Sequence, residues 1–224
     1  MRVAIHIDVL TEDFYTTYVM EKLTNLSLEQ YLNELSSEKP VPGGGSVSAL
    51  VASYAIGLTQ MVGRISLKRK IKEGLSQEEK AKEEANRATI QKILDSLEKV
   101  KRDAFQIINL DPQVYREVMA VWGQAEKMED ALQNSFRLQA DLAFLVVMAK
   151  EWNTSLAHLT KGSIKNDLLV SAALLEGAFR GAFHTAMINA HYMKDKERQK
   201  RSQEALKELK KRFEEGSAGA DQGN

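Results

Sequence analysis

The sequence contains no cysteine. Disulfides, thiolate metal sites and cysteine nucleophiles are therefore all excluded. A chain that is built without disulfides suits a reducing compartment. We therefore expect a cytoplasmic protein.

An excess of either charge is also missing, because 31 basic side chains are balanced by 31 acidic ones. A balanced surface has no bulk field that would hold nucleic acid or anionic lipid. We expect neither a nucleic-acid partner nor a membrane partner. Any anionic ligand must instead be met by a local cluster of donors or cations.

Proline is scarce, with only three residues, while good helix formers fill long unbroken stretches. Hydrophobic residues make up 43% and charged residues 28% of the chain, which is typical of a soluble globular domain with a core. No repeat of fixed period and no linker between two cores is evident. The composition predicts an all-α fold, a single helical bundle with a central apolar helix.

The two ends of the sequence differ from the middle. Residues 1–11 alternate apolar and polar side chains like a strand, and the polar ones interrupt the apolar run that a secretory signal needs. A second methionine, Met20, opens a more ordinary start, so we expect residues 1–19 to be an appendage or an over-assigned start. We predict an N-terminal extension over 1–25, a helical domain over 26–195, and a charged C-terminal helix with a mobile tail over 196–224.

Several helices can be placed within the domain. Ser27 is typical of an N-cap, with Gln30 at the third following position as in a capping box. Residues 46–63 are apolar on every side, but their modest length and scattered hydroxyl groups indicate a buried core helix and not a membrane span. A long amphipathic pattern over 77–109 predicts a surface helix. Further helical patterns cover 115–122, 138–159, 167–193 and 196–213.

The segment Pro42-Gly43-Gly44-Gly45-Ser46 precedes the core helix and gives the strongest local signal. Its glycines permit backbone angles that are closed to other residues. Free N–H groups at the start of a helix, with the helix dipole behind them, form a cradle for an anionic or carbonyl-bearing ligand. A flexible turn capped by Ser46 is the alternative. We favour the cradle, because the apolar helix behind it holds the loop inside the protein.

Asp111 is the second candidate, and two roles are open for it. If the helix over 77–109 continued, Asp111 would lie on its buried stripe, where burial raises the pKa of a carboxyl group and suits it to acid or base catalysis. Equally, an aspartate before Pro112 is typical of a helix N-cap with proline at the first helical position. The pattern alone does not separate the two roles.

The helix over 167–193 carries polar side chains on two sides. Because an α-helix turns about 100° per residue, one line lies within a single sector; it consists of Asp167, Ser171, Thr185 and Asn189. This line is a candidate for a buried polar seam between helices, since both faces of one helix rarely point to water. The opposite line is typical of a salt-bridged surface or a subunit contact; it consists of Glu176, Arg180 and His184.

Familiar catalytic and metal-binding motifs are absent from the sequence. It has no Ser-His-Asp order, Walker loop, dinucleotide fingerprint or two-histidine metal helix. The histidines do not pair with carboxylates at ligand spacing, so we predict no metal site.

Four motifs nevertheless occur in order along the chain. They are Pro-Gly-Gly-Gly-Ser-Val-Ser-Ala-Leu from Pro42; Met61-Val62 with Ser66 and the pair Arg69-Lys70; Asp111 with Tyr115 and Val118; and Asp167 with Gly181-Ala182 and Ile188-Asn189. Together they resemble the formiminotetrahydrofolate cyclodeaminase and methenyltetrahydrofolate cyclohydrolase family, from about Leu26 to Lys194. Four motifs in the right order are far more specific than any one of them.

The resemblance implies an all-helical subunit, usually a homodimer, that handles one-carbon units on tetrahydrofolate with neither metal nor nucleotide cofactor. It places Asp111 at the family's catalytic carboxylate. It also implies substrate-binding roles for Pro42, Gly43, Gly44, Gly45, Ser46, Arg69, Lys70, Asp167 and Asn189. The basic cluster Arg64, Lys68, Arg69 and Lys70 is a candidate to meet the glutamate tail of folate, with a solvated turn as the alternative.

Several positions depart from the family pattern. Asn109, Pro112, Asn166 and Thr185 stand where the family has aspartate, alanine, serine and asparagine, respectively. These departures support an alternative of another class, a non-catalytic helical dimer that binds folate or serves as an interaction subunit.

Two reactions suit the residues that the resemblance identifies. In the hydrolysis of 5,10-methenyltetrahydrofolate, a base takes a proton from water as it adds to the methenyl carbon, and an acid helps the ring to open at N5. In the cyclisation of 5-formiminotetrahydrofolate, N10 attacks the formimino carbon and ammonia leaves once it is protonated. One carboxylate, Asp111, can serve both reactions, and the sequence does not choose between them.

Overall fold

The computed structural model describes residues 22–218, and this part of the chain is entirely helical, as the sequence predicts. A single 3₁₀ turn, Leu23–Asn25, precedes six α-helices. These are α1 (Leu28–Leu35), α2 (Gly44–Lys68), α3 (Gln77–Ala120), α4 (Ala125–Leu159), α5 (Lys165–Tyr192) and α6 (Lys196–Ala218). The strand-like pattern over 1–11, the start at Met20 and the end of the C-terminal tail lie outside the described residues.

Reciprocal hydrogen bonds fix the first turns of α1 and α3. The Ser27 hydroxyl accepts from the Gln30 N–H, and the Gln30 side chain accepts from the Ser27 N–H. Ser76 and Glu79 form the same arrangement at the start of α3. Each capping box satisfies two N–H groups that have no acceptor inside the helix. The predicted cap at Ser27 is confirmed.

Helix α3 is longer than the sequence pattern indicates, because it continues from Gln77 to Ala120 with Pro112 inside it. The expected break at Asp111-Pro112 is therefore wrong, and so is the role of Asp111 as an N-cap. Asp111 lies on the buried stripe of a continuous helix, seven residues after the buried Ala104. A proline inside a helix removes one N–H and leaves the carbonyl group four residues earlier without its usual donor.

Helix α2 lies between α3 and α5 and also touches α4. Among residues 22–218 it is the one helix long and apolar enough to cross a membrane, and 61% of its most apolar window is buried inside the fold. One face is left uncovered, with Tyr54 50%, Met61 38% and Ile65 38% exposed. The core helix that the sequence predicts is thus present, but one of its faces is exposed.

Helix α6 completes the bundle by packing on α4 and α5. Leu206, Leu209 and Phe213 are buried, and the Phe213 ring stacks on Phe179 with 4.0 Å between ring centroids. Lys150 Nζ lies 3.7 Å from the centroid of the Phe213 ring and donates to the Phe213 carbonyl group. The charged C-terminal helix therefore shares one hydrophobic core with the helices before it, and a domain boundary at 195 stays a prediction.

The glycine segment does not use the left-handed backbone region. Positive φ angles occur at Gly74, Gly123 and Gly162, each in a connection between helices, whereas Gly44 and Gly45 form the first turn of α2. The expectation that the segment needs unusual backbone angles is therefore wrong. The requirement for glycine at this place is steric, as the site shows.

Candidate functional site

The Asp111 carboxylate is held at the N-terminus of α2 by two hydrogen bonds. Its Oδ2 accepts from the Ser46 backbone N–H at 3.0 Å, and its Oδ1 accepts from Gln139 Nε2 at 2.7 Å. Asp111 is 8% exposed and Gln139 is fully buried. Three helices thus converge on one carboxylate: α3 carries it, while α2 and α4 each supply one donor.

Pro112 explains a second set of bonds around this carboxylate. Because Pro112 has no N–H, the Ile108 carbonyl group lacks the donor four residues ahead that usually bonds to it in an α-helix. The Ser46 hydroxyl donates to this carbonyl at 2.9 Å. With its only proton used there, Ser46 Oγ accepts from the Tyr31 hydroxyl, also at 2.9 Å. A chain of bonds therefore ties α1, α2 and α3 together beside Asp111.

Gly45 is required by the packing of the site. A Cβ atom at this position would overlap Asp111 Oδ1 and Gln139 Nε2. Gly181 plays the same part between α2 and α5, since a Cβ atom there would overlap Ser48 Oγ. Because glycine has no Cβ atom, the backbone of α2 at Gly45 approaches the Asp111 carboxylate more closely than it could with any other residue.

The start of α2 offers further donors next to Asp111. Gly43 is the N-cap and provides no side chain, and the Ser46 N–H is the one taken by Asp111. Within residues 22–218, the N–H groups of Gly44 and Gly45 have no acceptor. Pro42 and Gly45 are buried, and Gly44 is exposed. Exposed helix N-termini of this kind bind anionic and carbonyl oxygen atoms.

Burial and hydrogen bonding have opposite effects on the pKa of the Asp111 carboxyl group. Burial raises the pKa of the Asp111 carboxyl above its ordinary value, and the hydrogen bonds from Ser46 and Gln139 act in the opposite sense. Burial also raises the pKa of the nearby Tyr31 phenol, which the bond to Ser46 partly offsets. Burial thus disfavours the ionised form, and two hydrogen bonds favour it. A carboxyl group in this balance is suited to accept and return a proton.

The polar line on α5 is divided between two places. Ser171 is fully buried and bonds to Thr59 Oγ1 at 2.7 Å and to the Ala55 carbonyl at 2.8 Å. Asn153 Nδ2 joins this group by donating to Thr59 Oγ1 at 3.0 Å. The expected buried seam between helices therefore exists at Ser171, where it is part of the core.

The two ends of that line are too far apart to share one ligand. Asp167 and Asn189 lie 22 residues apart on α5, which is about 33 Å along the helix axis. Thr185 lies near the glycine segment, with its Oγ1 3.9 Å from the place of a Cβ atom at Gly44. Asn189 lies one turn further on and donates to the Thr185 carbonyl. Asn189 thus lies at the end of α5 that is close to the glycine segment, and Asp167 lies at the other end.

The basic cluster lies at the opposite end of α2 from Asp111. Arg69 follows Ser46 by 23 residues, about 35 Å along the helix. The Arg69 guanidinium donates to the Lys161 carbonyl, and Arg87 donates to the Arg69 carbonyl at 3.0 Å. Arg64 forms an exposed ion pair with Glu98 at 3.4 Å. Within one subunit, Arg69 and the adjacent Lys70 do not reach the carboxylate.

The line of Glu176, Arg180 and His184 is exposed. Glu176 and Arg180 form an ion pair at 2.6 Å, in agreement with the salt-bridged surface that the spacing indicates. Among residues 22–218 no group of three or more histidine, aspartate or glutamate side chains is arranged to hold a metal ion.

One departure from the family pattern has a direct structural reason. The Asn109 side chain accepts from the Thr24 N–H at 3.2 Å and donates to the Thr24 hydroxyl at 3.0 Å. An ionised aspartate could accept but not donate. Asn109 therefore attaches the segment before α1 to α3.

Gln139 and Tyr31 belong to the site but were not among the residues that the motifs identify. Gln139 had a signal in the sequence, because it lies three residues after Phe136 and four before Ala143, on the apolar stripe of α4. A glutamine on such a stripe must find a buried partner. The sequence does not reveal that the partner is Asp111, because α3 and α4 meet only in the folded protein.

Comparisons with known proteins agree with this arrangement. A sequence profile of the family described as formiminotransferase-cyclodeaminase matches residues 27–208. Curated relatives include formimidoyltransferase-cyclodeaminase of Mus musculus, 24% identical over 186 residues, and that of Gallus gallus, 23% identical over 207 residues. The alignments cover 78% and 88% of this chain but 32% and 36% of the relatives. The chain thus spans about a third of their length.

A solved structure shares the fold. The crystal structure of formiminotetrahydrofolate cyclodeaminase from Thermotoga maritima superposes with a TM-score of 0.80 and 22% sequence identity, covering 90% of this chain and 96% of that one. The profile match extends from the capping box of α1 into α6 and includes every residue that bonds to Asp111. The chain therefore belongs to the formiminotransferase-cyclodeaminase family.

Proposed function

We propose that the protein is an enzyme of folate one-carbon metabolism in which Asp111 carries the reacting proton. The observation that supports this most directly is the buried Asp111 carboxylate held at the start of α2 by Ser46 and Gln139. Membership of the formiminotransferase-cyclodeaminase family supports the class of substrate. The N–H groups of Gly44 and Gly45 are suited to bind a carbonyl oxygen of the folate beside Asp111.

In the hydrolytic direction, Asp111 would take a proton from water as its oxygen bonds to the methenyl carbon of 5,10-methenyltetrahydrofolate. The carbon–N5 bond then breaks, N5 receives that proton from Asp111, and the hydroxyl proton goes to solvent as the formyl group forms on N10. The substrate is a cation and the product is neutral, so one proton is released overall. An ionised carboxylate in a buried site also stabilises the cationic substrate.

In the cyclising direction, N10 of 5-formiminotetrahydrofolate would bond to the formimino carbon and lose its proton to Asp111. Asp111 returns this proton to the formimino nitrogen, which leaves as ammonia after one further proton from solvent. The methenyl cation is the product here. Both reactions therefore need one carboxylate that ionises and protonates in turn, which is the property that the surroundings of Asp111 favour.

We also propose that the protein is a homodimer joined through the uncovered face of α2. This face is formed by Val47, Leu50, Tyr54, Gly57, Leu58, Met61 and Ile65. The face is symmetric about a point between Gly57 and Leu58, because Tyr54 and Met61 lie equally far on either side of it, as do Leu50 and Ile65. No atom lies within 4 Å of the place of a Cβ atom at Gly57. An antiparallel pair of α2 helices can therefore approach closely at a two-fold axis there.

Such a dimer would bring the basic cluster of one subunit close to the glycine segment of the other. Ser46 and Arg69 are also equally far from the point between Gly57 and Leu58. In an antiparallel pair, Arg69 and Lys70 of the partner subunit would lie opposite the glycine segment, where a folate glutamate tail could meet them. Opposite charges on ligand and cluster favour this arrangement. The substrate-binding role for Arg69 and Lys70 is thus proposed across the subunit interface.

The activity is tested with the purified protein and both folates. Ultraviolet absorbance follows the loss of methenyltetrahydrofolate, and released ammonia follows the cyclisation of formiminotetrahydrofolate. Turnover above the buffer control in either assay supports the enzyme. If both assays match the buffer control while folate still binds in a titration, the protein is a non-catalytic folate-binding dimer and the proposal fails.

The shared site is tested by mixing subunits. Asp111→Asn and the double variant Arg69→Ala, Lys70→Ala are each expected to be inactive as homodimers. Each mixed dimer contains one site with both defects and one site with neither, so a mixed dimer should reach about half of the wild-type activity and an equimolar mixture about a quarter. No recovery would place the two sets of residues in the same subunit's site or in no common site. Tyr54→Glu should dissociate the dimer in sedimentation, whereas Leu28→Glu, on the exposed face of α1, should not.

A further inference from the structure

Gln139 has a bonding pattern that the proposed chemistry does not require and that needs an explanation. Its Nε2 donates to Asp111 Oδ1 at 2.7 Å, while its Oε1 is buried and has no partner among residues 22–218. The side chain as a whole is fully buried. A buried amide that uses only one of its two ends is costly, and native proteins seldom keep one without a reason.

The amide can face Asp111 with either end. With Nε2 toward Asp111, it donates to an ionised carboxylate. Turned by 180°, it would place Oε1 at the same position, where it could accept from Asp111 only if Oδ1 carried a proton. With Nε2 toward Asp111, the other end of the amide, Oε1, meets no donor among the described residues. No hydrogen bond beyond Asp111 therefore holds the amide in this orientation.

We infer that Gln139 is a positioning residue whose amide turns with the proton on Asp111, so that the carboxyl oxygen is held in place in both protonation states. The inference rests on the proposed function for the reason that the amide turns, whereas the titration and unfolding experiments that test it do not depend on that function. A proton shuttle must keep the same geometry before and after it takes the proton. An amide that donates to one state and accepts from the other achieves this with a single side chain.

The other contacts of Asp111 do not share this property. The Ser46 backbone N–H only donates, and it bonds to the other oxygen, Oδ2. Tyr31 is the titratable group that interacts electrostatically with Asp111, and its hydroxyl is directed to Ser46. The amide and the carboxylate both pack against Gly45, since a methyl group there would overlap both side chains. Gln139 alone can therefore follow the proton.

The first test measures the protonation of Asp111 directly. Protein labelled with ¹³C at the aspartate carboxyl groups is titrated by NMR, and the Asp111 signal is the one that Asp111→Asn removes. Gln139→Met should raise the midpoint, because the hydrogen bond that the amide donates to the ionised carboxylate is stronger than the one that the turned amide accepts from the protonated acid. An unchanged midpoint would show that the amide does not favour the ionised form and would overturn the inference.

The chain provides a matched control in Gln60. Gln60 is also fully buried, donates from Nε2 to a carboxylate, Glu98, at 2.8 Å, and has an unpartnered Oε1. It lies 14 residues after Ser46 on α2, about 21 Å along the helix. Gln60→Met should leave the Asp111 midpoint where it is, whereas a shift equal to that of Gln139→Met would mean that loss of any buried amide has this effect.

The second test separates a turning amide from one that only donates. Asp111→Asn presents an N–H₂ group in place of Oδ1, as the protonated acid presents an O–H. If the amide turns, Gln139→Met should lower the urea midpoint in the Asp111→Asn background as much as in the wild type. If the amide cannot turn, two donors face each other in Asp111→Asn, and Gln139→Met should leave the urea midpoint unchanged or raise it.

Turnover supplies a third reading if the wild type is active. Gln139→Met should lower kcat by about tenfold with little change in KM, because Asp111 is misplaced while the folate contacts remain. Should Gln139→Met fail to fold, Gln139→Glu is nearly the same shape and should make residues 111 and 139 titrate as a pair with two separated steps. A wild-type protein without turnover would end the proposed function, while the titration and the urea series would still decide the role of Gln139.

Discussion

The Ser46 hydroxyl donates to the Ile108 carbonyl group across the α2–α3 interface at 2.9 Å. This bond exists because Pro112, four residues after Ile108, cannot supply the N–H that would close the helix. Ser46, in the glycine segment, thus bonds to the carbonyl group that Pro112 leaves without its usual donor. Pro112 weakens α3 locally and at the same time opens an acceptor beside Asp111.

Replacing this proline should therefore separate stability from function. Pro112→Ala returns an N–H to α3, which then competes with the Ser46 hydroxyl for Ile108. We expect the free energy of unfolding to rise, by no more than the roughly 3 kcal/mol that an internal proline costs a helix. Turnover should fall several-fold as Ser46 loses its anchor. Urea unfolding and the methenyltetrahydrofolate assay measure the two effects, and a variant with unchanged turnover would show that the bond does not position the site.

The choice of residue that replaces Asp111 should decide whether stability is lost together with turnover. Asp111→Asn keeps an acceptor for Ser46 N–H and offers Gln139 a donor, so the melting temperature should stay close to that of the wild type. Because asparagine takes no proton, turnover should fall by about a hundredfold or more. Asp111→Ala leaves two buried donors without partners and should cost about 1–3 kcal/mol for each. Thermal melts and steady-state kinetics test both variants, and a fully active Asp111→Asn would remove Asp111 from the mechanism.

Two adjacent glycines should respond very differently to the same small change. Gly45→Ala places a methyl group into Asp111 and Gln139, so stability and turnover should both decrease. At Gly44 the nearest atom, Thr185 Oγ1, is 3.9 Å from the new Cβ atom, and Gly44→Ala should fold like the wild type. Circular dichroism with thermal melting compares the pair. Equal melting temperatures would contradict the steric role of Gly45.

The sequence predicts the parts of this fold that depend on near neighbours in the chain. The capping box at Ser27 and the amphipathic stripe that includes Ala104 are local patterns, and both are present. The predicted end of the long helix at 109 is wrong, and of the two roles left open for Asp111 the N-cap does not occur, although local preference favours a helix start before Pro112. Packing against α2 stabilises a continuous α3 instead, and Ser46 satisfies the carbonyl group that the proline leaves open.

The site itself was predictable only in part. The motifs identify Asp111 and the glycine segment, because each has a recognisable local signature. The contact between Gln139 and Asp111 joins residues 28 positions apart in sequence on different helices, and no local pattern encodes it. Asp167 and Asn189 belong to the same motif, but the length of α5 keeps them about 33 Å apart within one subunit.

A second carboxyl group, the half-buried Asp141, should make the stability of the protein depend on pH. Burial raises the pKa of Asp141 to about 6, and the positive charge of Arg137 only partly offsets this. A raised pKa means that the folded protein binds this proton more tightly than the unfolded chain does. The contribution of Asp141 to stability is therefore greatest at low pH and is lost as the pH rises from about 4 through about 6.

Asp141→Asn should remove this dependence without removing the side-chain shape. The variant and the wild type should have similar urea midpoints near pH 4, and the variant should become the more stable of the two above pH 7. The difference should not exceed about 3 kcal/mol, since one pKa unit corresponds to 1.36 kcal/mol and Asp141 is only half-buried. Asp95→Asn, at an exposed position of α3, is the control and should follow the wild type at every pH. If Asp141→Asn and the wild type kept the same difference from pH 4 to pH 8, the Asp141 carboxyl group would not be the one that titrates in this range.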